Sequence, residues 1–258
     1  MIDEWGKGAK YWDKPWNPMI GCKKVSEGCA NCYAARLAAQ YPELRDAQGG
    51  FEPHPPQNLK SPPKSGVVFV GNMTDIFGEW NDLDKVRDYW LPMLSKQALN
   101  LILTKRPERM KQMVHGSHLM YGITAENQTR LYERLCRCGW MILDKIWLSL
   151  EPLLGEVNIG RALTTASEKS GIFSCMTAEQ KMKQYLSWVV IGAESGPNRR
   201  PCNIEWVRWA VHQCRAAGVP VFVKQLDLDG KLEKDISKFP EDLQIRQVPW
   251  KKENREEK

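Results

Sequence analysis

Val67-Val68-Phe69-Val70-Gly71-Asn72-Met73-Thr74-Asp75 is the stretch on which the fold turns. A short apolar, β-prone run stops at a glycine and gives way to a polar cluster, as expected of a strand buried on both faces that ends at a polar edge. The same pattern recurs along the chain. Leu99-Asn100-Leu101-Ile102-Leu103-Thr104 leads to Lys105-Arg106-Pro107, and Leu119-Met120-Tyr121-Gly122-Ile123 leads to Thr124-Ala125-Glu126-Asn127. Ile146-Trp147-Leu148-Ser149-Leu150 is followed by Glu151-Pro152, Trp188-Val189-Val190-Ile191-Gly192 by Ala193-Glu194-Ser195-Gly196, and Val219-Pro220-Val221-Phe222-Val223 by Lys224-Gln225. Amphipathic helices are expected between them at Leu83 to Ala98, Glu126 to Cys138 and Ile204 to Ala217. Strand alternating with helix predicts an α/β fold with a parallel sheet. With Met19-Ile20-Gly21 as a first strand stub the count is about seven, which favours a partial or complete parallel (β/α) barrel over a doubly wound open sheet.

Residues 1–250 read as a single α/β barrel domain, with a cysteine loop at 22–32, a Pro/Gly-rich loop at 42–66, an insertion at 161–184 and a charged tail at 251–258. No apolar stretch is long enough to span a bilayer, and Met1 to Lys10 carry no signal-peptide core, so a cytoplasmic protein with no membrane partner is expected. The net charge of +6 permits an acidic partner such as nucleic acid without demanding one. Eight cysteines in a reducing compartment point to thiols and metal ligands, not to a disulfide framework. Cys136, Cys138, Cys175, Cys202 and Cys214 read as core or surface thiols, and Trp5, Trp12 and Trp16 as packing residues at the barrel end.

Cys22, Cys29 and Cys32 are different. They sit among glycines and lysines in Gly21-Cys22-Lys23-Lys24-Val25-Ser26-Glu27-Gly28-Cys29-Ala30-Asn31-Cys32-Tyr33. Three thiolates on one loop hold three corners of a metal centre and leave the fourth open, which suits an iron–sulfur cluster that meets a small molecule. The alanine-rich run after Cys32 predicts a helix opening around Cys29 to Cys32, whose dipole favours thiolates at its N-terminus. Zinc is the rival metal; it wants a fourth ligand, and His54 is the nearest histidine. In parallel α/β folds the carboxyl ends of the strands converge on one ligand-bearing face, and the cysteine loop belongs there with the polar clusters. Taken singly, Asp75, Glu126 and Glu151 also read as helix caps or turn residues.

Trp16-Asn17-Pro18, Gly28-Cys29-Ala30-Asn31-Cys32-Tyr33-Ala34, Met73-Thr74-Asp75-Ile76-Phe77, Leu103-Thr104-Lys105-Arg106-Pro107-Glu108-Arg109, Glu126-Asn127-Gln128, Glu151-Pro152-Leu153-Leu154-Gly155 and Glu194-Ser195-Gly196-Pro197 occur in that order. In these motifs the chain, from Trp16 to Gln225, resembles the phage-associated three-cysteine-motif family. That family is in turn similar to radical S-adenosylmethionine enzymes, which are TIM-like partial barrels. The resemblance implies that Cys22, Cys29 and Cys32 ligate a four-iron, four-sulfur (4Fe-4S) cluster. Its open iron would take the amino and carboxylate groups of S-adenosylmethionine, and an external electron donor would drive release of a 5′-deoxyadenosyl radical. It places the cofactor's amino group at Asn72 and Asp75, and makes Glu126, Glu151 and Glu194 contacts to ribose, amino group or substrate. Lys105, Arg106 and Lys224 would meet a carboxylate or phosphate of the substrate. Two departures stand out. The spacing from Cys22 to Cys29 is longer than usual, and the aromatic position expected just before the last cysteine holds Asn31, with Tyr33 following instead. The implied substrate is a nucleic acid, a nucleotide or a partner protein encoded nearby. Two other readings compete: a zinc-stabilised, non-catalytic nucleic-acid-binding module, and a phosphate-binding barrel using Gly71, Gly192 and Gly196.

Overall fold

Short apolar runs become the strands of one curled sheet in the computed structural model, which describes residues 9–111, 113–138, 145–171 and 175–250. The strands are β1 (Lys14–Trp16), β2 (Gly66–Val70), β3 (Ala98–Thr104), β4 (Leu119–Thr124), β5 (Ile146–Leu150), β6 (Leu186–Gly192), β7 (Val221–Leu228) and β8 (Lys231–Glu233). They lie in sequential order; β1 to β7 are parallel and β8 runs antiparallel to β7. Helices α1 (Tyr33–Gln40), α2 (Leu83–Lys85), α3 (Leu91–Met93), α4 (Gln128–Cys138), α5 (Ile159–Lys169), α6 (Ala178–Tyr185) and α7 (Ile204–Ala217) fill the connections. The result is an α/β half-barrel. No helix among the described residues is long and apolar enough to cross a membrane.

Side chains alternate across the strands and build two cores. Val68, Val70, Ile102, Ile123, Leu148, Val189, Ile191 and Val223 pack against Val86, Leu131, Leu163 and Val207 of the helical layer. On the other face Val67, Phe69, Leu101, Trp147, Trp188, Val190 and Phe222 surround Tyr11. The Tyr11 ring meets Trp188 edge-on at 5.0 Å and Phe222 at 5.7 Å, so bulky aromatics fill the barrel's concave side below its polar end.

The structure departs from the sequence reading in four places. The first strand is Lys14–Trp16, not Met19-Ile20-Gly21; Ile20 makes only an isolated bridge to His54. Pro15 is tolerated because β1 is an edge strand. The segment 161–184 is largely helical: α5 and α6 lie in the crossover from β5 to β6, capped by Asn158 and by a Thr177/Gln180 capping box. The helix expected from Leu83 to Ala98 ends at Met93 after a π turn (Val86–Trp90), and Ala98 already belongs to β3. Finally, β7 runs on past Val223 and turns at Asp229-Gly230, both at positive φ, into β8. The loop 42–66 holds one 3-10 turn, Pro42–Leu44, before β2. Trp5 and the charged tail 251–258 lie outside the described residues.

Candidate functional site

The cysteine loop is held against the carboxyl ends of the strands along its whole length. At its start, Gly21 N–H donates to the Met73 carbonyl (3.0 Å) and Thr74 Oγ1 donates to the Gly21 carbonyl (2.7 Å). Asn17 fixes the same corner: its Nδ2 donates to Asn72 Oδ1 (2.7 Å), and its Oδ1 accepts from Met73 N–H (3.0 Å). Asn17→Leu strands that buried N–H, and the expected loss is about 1–3 kcal/mol in urea unfolding.

Arg106 holds the next stretch. It is buried, and it donates to the Lys23 carbonyl (3.1 Å), Asp75 (3.2 Å) and Glu79 (2.8 Å) while lying over the Trp80 ring. Asp75 is equally committed, accepting from Thr104 Oγ1 (2.7 Å) and from the backbone N–H groups of Phe77 and Lys105 (both 3.1 Å).

Glu126 sits under the middle of the loop, 0% exposed, paired with Arg134 (2.7 Å) and accepting from Ser26 Oγ (2.6 Å). It touches the loop at Gly28, where any Cβ would collide with its carboxylate. Glu194 holds the far end, accepting from Asn31 Nδ2 (2.9 Å) and from the Arg200 guanidinium, which also donates to the Glu27 carbonyl (2.9 Å). Cys32 caps α1, so its thiol stands at a helix N-terminus.

Fixed in this way, Cys22, Cys29 and Cys32 line a cavity of about 160 Å³ together with Asn72, Asp75, Lys105 and Arg106. Cys32, Tyr33, Lys105 and Phe69 also line a second, larger cavity of about 490 Å³. Its wall includes Glu151, Glu194 and Lys224, with Tyr11 and Ser149. Glu151 pairs with Lys224 (2.8 Å) and accepts from Ser149 Oγ (3.2 Å) and Tyr11 Oη (3.3 Å). The Tyr33 hydroxyl donates to the Asn72 carbonyl.

The structure thus brings together the three cysteines, Tyr33, Asn72, Asp75, Lys105 and Arg106, with Glu151, Glu194 and Lys224 in the adjoining space. Glu126 lines neither cavity, and Arg106 and Asp75 satisfy each other. Glu126 and Arg106 anchor the loop, while Asp75 and Arg106 stand on the wall of the smaller cavity. Sequence reasoning missed Ser26, Asn31, Arg134 and Arg200, whose partners are distant in the chain, and Tyr11, which carries no motif. Ser149 was within reach of it, because alternation along β5 puts it on the Trp147 side.

The thiols differ in their environments. Burial, then the nearby Asp75 carboxylate, pushes Cys22 up to about 12. Burial also opposes ionisation of Cys29, but Lys105 and hydrogen bonds from the Val25–Ser26 stretch outweigh it and lower its pKa. Among the described residues no three His, Cys, Asp or Glu side chains already surround a common point at metal-ligand distance. The donor set nonetheless fits a metal centre in its chemistry: three unpaired thiols on one cavity wall. His54, the nearest histidine in the sequence, lines neither cavity.

Glu126 and Glu194 lie below the ordinary carboxylate range. Burial works against this, but Lys105, Arg134 and Ser26 lower the first, and Arg200 and Asn31 lower the second. A depressed folded pKa gives stability that is complete above the unfolded value, near 4.3, and is lost as pH falls through the folded one. Urea midpoints are therefore expected to fall from pH 5 towards pH 3, and Glu126→Gln should flatten that fall.

The family model described as "Protein of unknown function (DUF5131)" matches residues 7–249. The chain belongs to the DUF5131 family. No curated protein and no solved structure matches it. The matched span of this DUF5131 protein holds the cysteine loop, all eight strands and the lining of both cavities.

Proposed function

We propose that the chain is a radical S-adenosylmethionine enzyme of the phage-associated three-cysteine-motif kind, its half-barrel a partial barrel of the radical-SAM type. One observation carries the reading: three thiols on a clamped loop line a cavity that adjoins a larger one holding Glu151, Glu194 and Lys224. Cys22, Cys29 and Cys32 would hold a 4Fe-4S cluster. When bound, such a cluster passes one electron from an external donor to the cofactor's sulfonium and so supplies radical chemistry to the neighbouring space.

The remaining work belongs to the chain. Arg106, Glu126 and Glu194 hold the loop so that its sulfurs share one wall. Lys105 favours the Cys29 thiolate. Tyr33 and Phe69 give apolar surface at the boundary of the two cavities. Glu151, steadied by Lys224, Ser149 and Tyr11, is the carboxylate placed to take the cofactor's amino group or ribose, in preference to Asp75. Packed aromatics close the barrel beneath and keep water from entering on that side.

The test is iron, sulfide and zinc content of anaerobically purified and reconstituted protein, with electron paramagnetic resonance of the reduced form. A reduced-cluster signal that shifts when S-adenosylmethionine is added is expected. Stoichiometric zinc with no cluster after reconstitution would retire the radical reading and leave a zinc-stabilised binding module.

A further inference from the structure

We infer that the outer part of the larger cavity is a phosphate subsite formed by Arg36, Lys224 and Lys234, and that the substrate carries a phosphate, as a nucleotide does free or within a strand. The three side chains reach one cavity from α1, from β7 and from the segment after β8. Its carboxylates are each offset by a protein cation: Glu194 pairs with Arg200 and also accepts from Asn31, and Glu151 pairs with Lys224 and also accepts from Ser149 and Tyr11.

Arg36 and Lys234 are not balanced in this way. Arg36 Nη1 donates to the neutral Ser195 carbonyl (3.1 Å) and lies against Gly196, at φ +113°, where a Cβ would collide with the guanidinium. Neither residue forms an ion pair among the described residues. The backbone of Lys234 is fastened on both sides: its N–H donates to Glu233 Oε1 (2.9 Å), and its carbonyl accepts from Arg246 (2.6 Å). Arg36 is held through its guanidinium and Lys234 through its backbone, and both residues are half-buried.

Like charges gathered in a partly buried cavity raise each other's cost. Burial, then Lys224 and Arg36, accordingly holds the Lys234 ammonium below the usual lysine range. An anion reverses that cost. Three donors from different elements suit the oxygens of a tetrahedral phosphate better than the two coplanar oxygens of a carboxylate. Only the assignment of the phosphate to a substrate rests on the proposed radical activity; the binding does not.

The experiment is calorimetric titration of the full-length protein, before and after cluster reconstitution, with inorganic phosphate, adenosine 5′-monophosphate, a short single-stranded oligonucleotide and succinate. Phosphate and the nucleotide are expected to bind wild type, and to bind Lys234→Met and Arg36→Met roughly tenfold more weakly or worse. Circular dichroism would verify that both variants are folded. An oligonucleotide binding more tightly than the mononucleotide, with a steep salt dependence, would place the phosphate in a nucleic acid; the reverse order would make it a free nucleotide. Equal phosphate affinity in wild type and both variants, succinate binding as tightly as phosphate, or one-for-one displacement of phosphate by S-adenosylmethionine would overturn the subsite. Phosphate binding through these residues in protein that takes up no cluster would retain the subsite and sink only the radical activity.

Discussion

Cys29→Ala is expected to abolish cluster assembly, with iron and sulfide content after reconstitution falling to background and the broad visible absorption disappearing. Three thiols line the smaller cavity, and no histidine stands on its wall to replace a lost ligand. Of the three, Cys29 has the clearest reason to be a thiolate, since Lys105 and the Ser26 turn favour its ionised form. A metal ligand must be deprotonated, so the loss of Cys29 removes a sulfur whose surroundings already favour the thiolate. Cys22→Ala should act in the same direction, although burial and Asp75 make the Cys22 thiol harder to ionise without a metal. Cys214→Ala is the control. That thiol is buried in the core against the helical layer, so its loss should leave iron content unchanged. Cluster uptake at wild-type level in Cys29→Ala, or its loss in Cys214→Ala, would show that the ligand set is different.

How much of this was legible in the sequence depended on how local each signal was. Strands β2 to β7 announce themselves because burial on both faces demands unbroken apolar runs such as Val67 to Val70 and Trp188 to Ile191. Strand β1 does not, because Lys14-Pro15-Trp16 is short, exposed at two of its positions and on the sheet edge. The β7–β8 hairpin was readable in principle from Asp229-Gly230, but the polar residues of β8 gave no hydrophobic pattern to confirm it. At the site, the cysteines and the polar strand ends could be recognised as a set. Their division of labour could not. Whether a strand-end carboxylate faces a cavity or clamps a loop is decided by partners such as Ser26 for Glu126 and Asn31 for Glu194, the latter pair 163 residues apart. Motif reasoning places Asp75, Glu126 and Arg106 together among the ligand contacts; Glu126 turns to the loop and lines neither cavity, whereas Asp75 and Arg106 line the smaller cavity and Arg106 also holds the loop.

Glu126 is where that difference has its largest consequence for stability. It is fully buried and balances Arg134, itself almost fully buried, while receiving the Ser26 hydroxyl from the cysteine loop. Glu126→Ala leaves the Arg134 guanidinium in the interior with the Thr124 carbonyl as its one remaining acceptor among the described residues. Removing one partner of a buried ion pair costs about 3–5 kcal/mol, a large share of the 5–15 kcal/mol that stabilises a typical domain. A fall of that size in urea unfolding at pH 7 is expected. Ser26→Ala should cost only about 1 kcal/mol, because it removes a single hydrogen bond and leaves the ion pair intact. The double variant Glu126→Ala/Arg134→Met separates pair from packing: it should recover part of the loss, since the buried guanidinium is gone and only the more exposed Lys105 ammonium, 3.8 Å from the same carboxylate, loses its partner. If Glu126→Ala costs less than about 1 kcal/mol, water must reach Arg134 and the clamp is looser than its geometry indicates. With the clamp intact, the same carboxylate that stabilises the barrel also fixes the loop at Ser26 and Gly28, and the position of the adjacent Cys29 sulfur depends on a contact that the cysteine does not make.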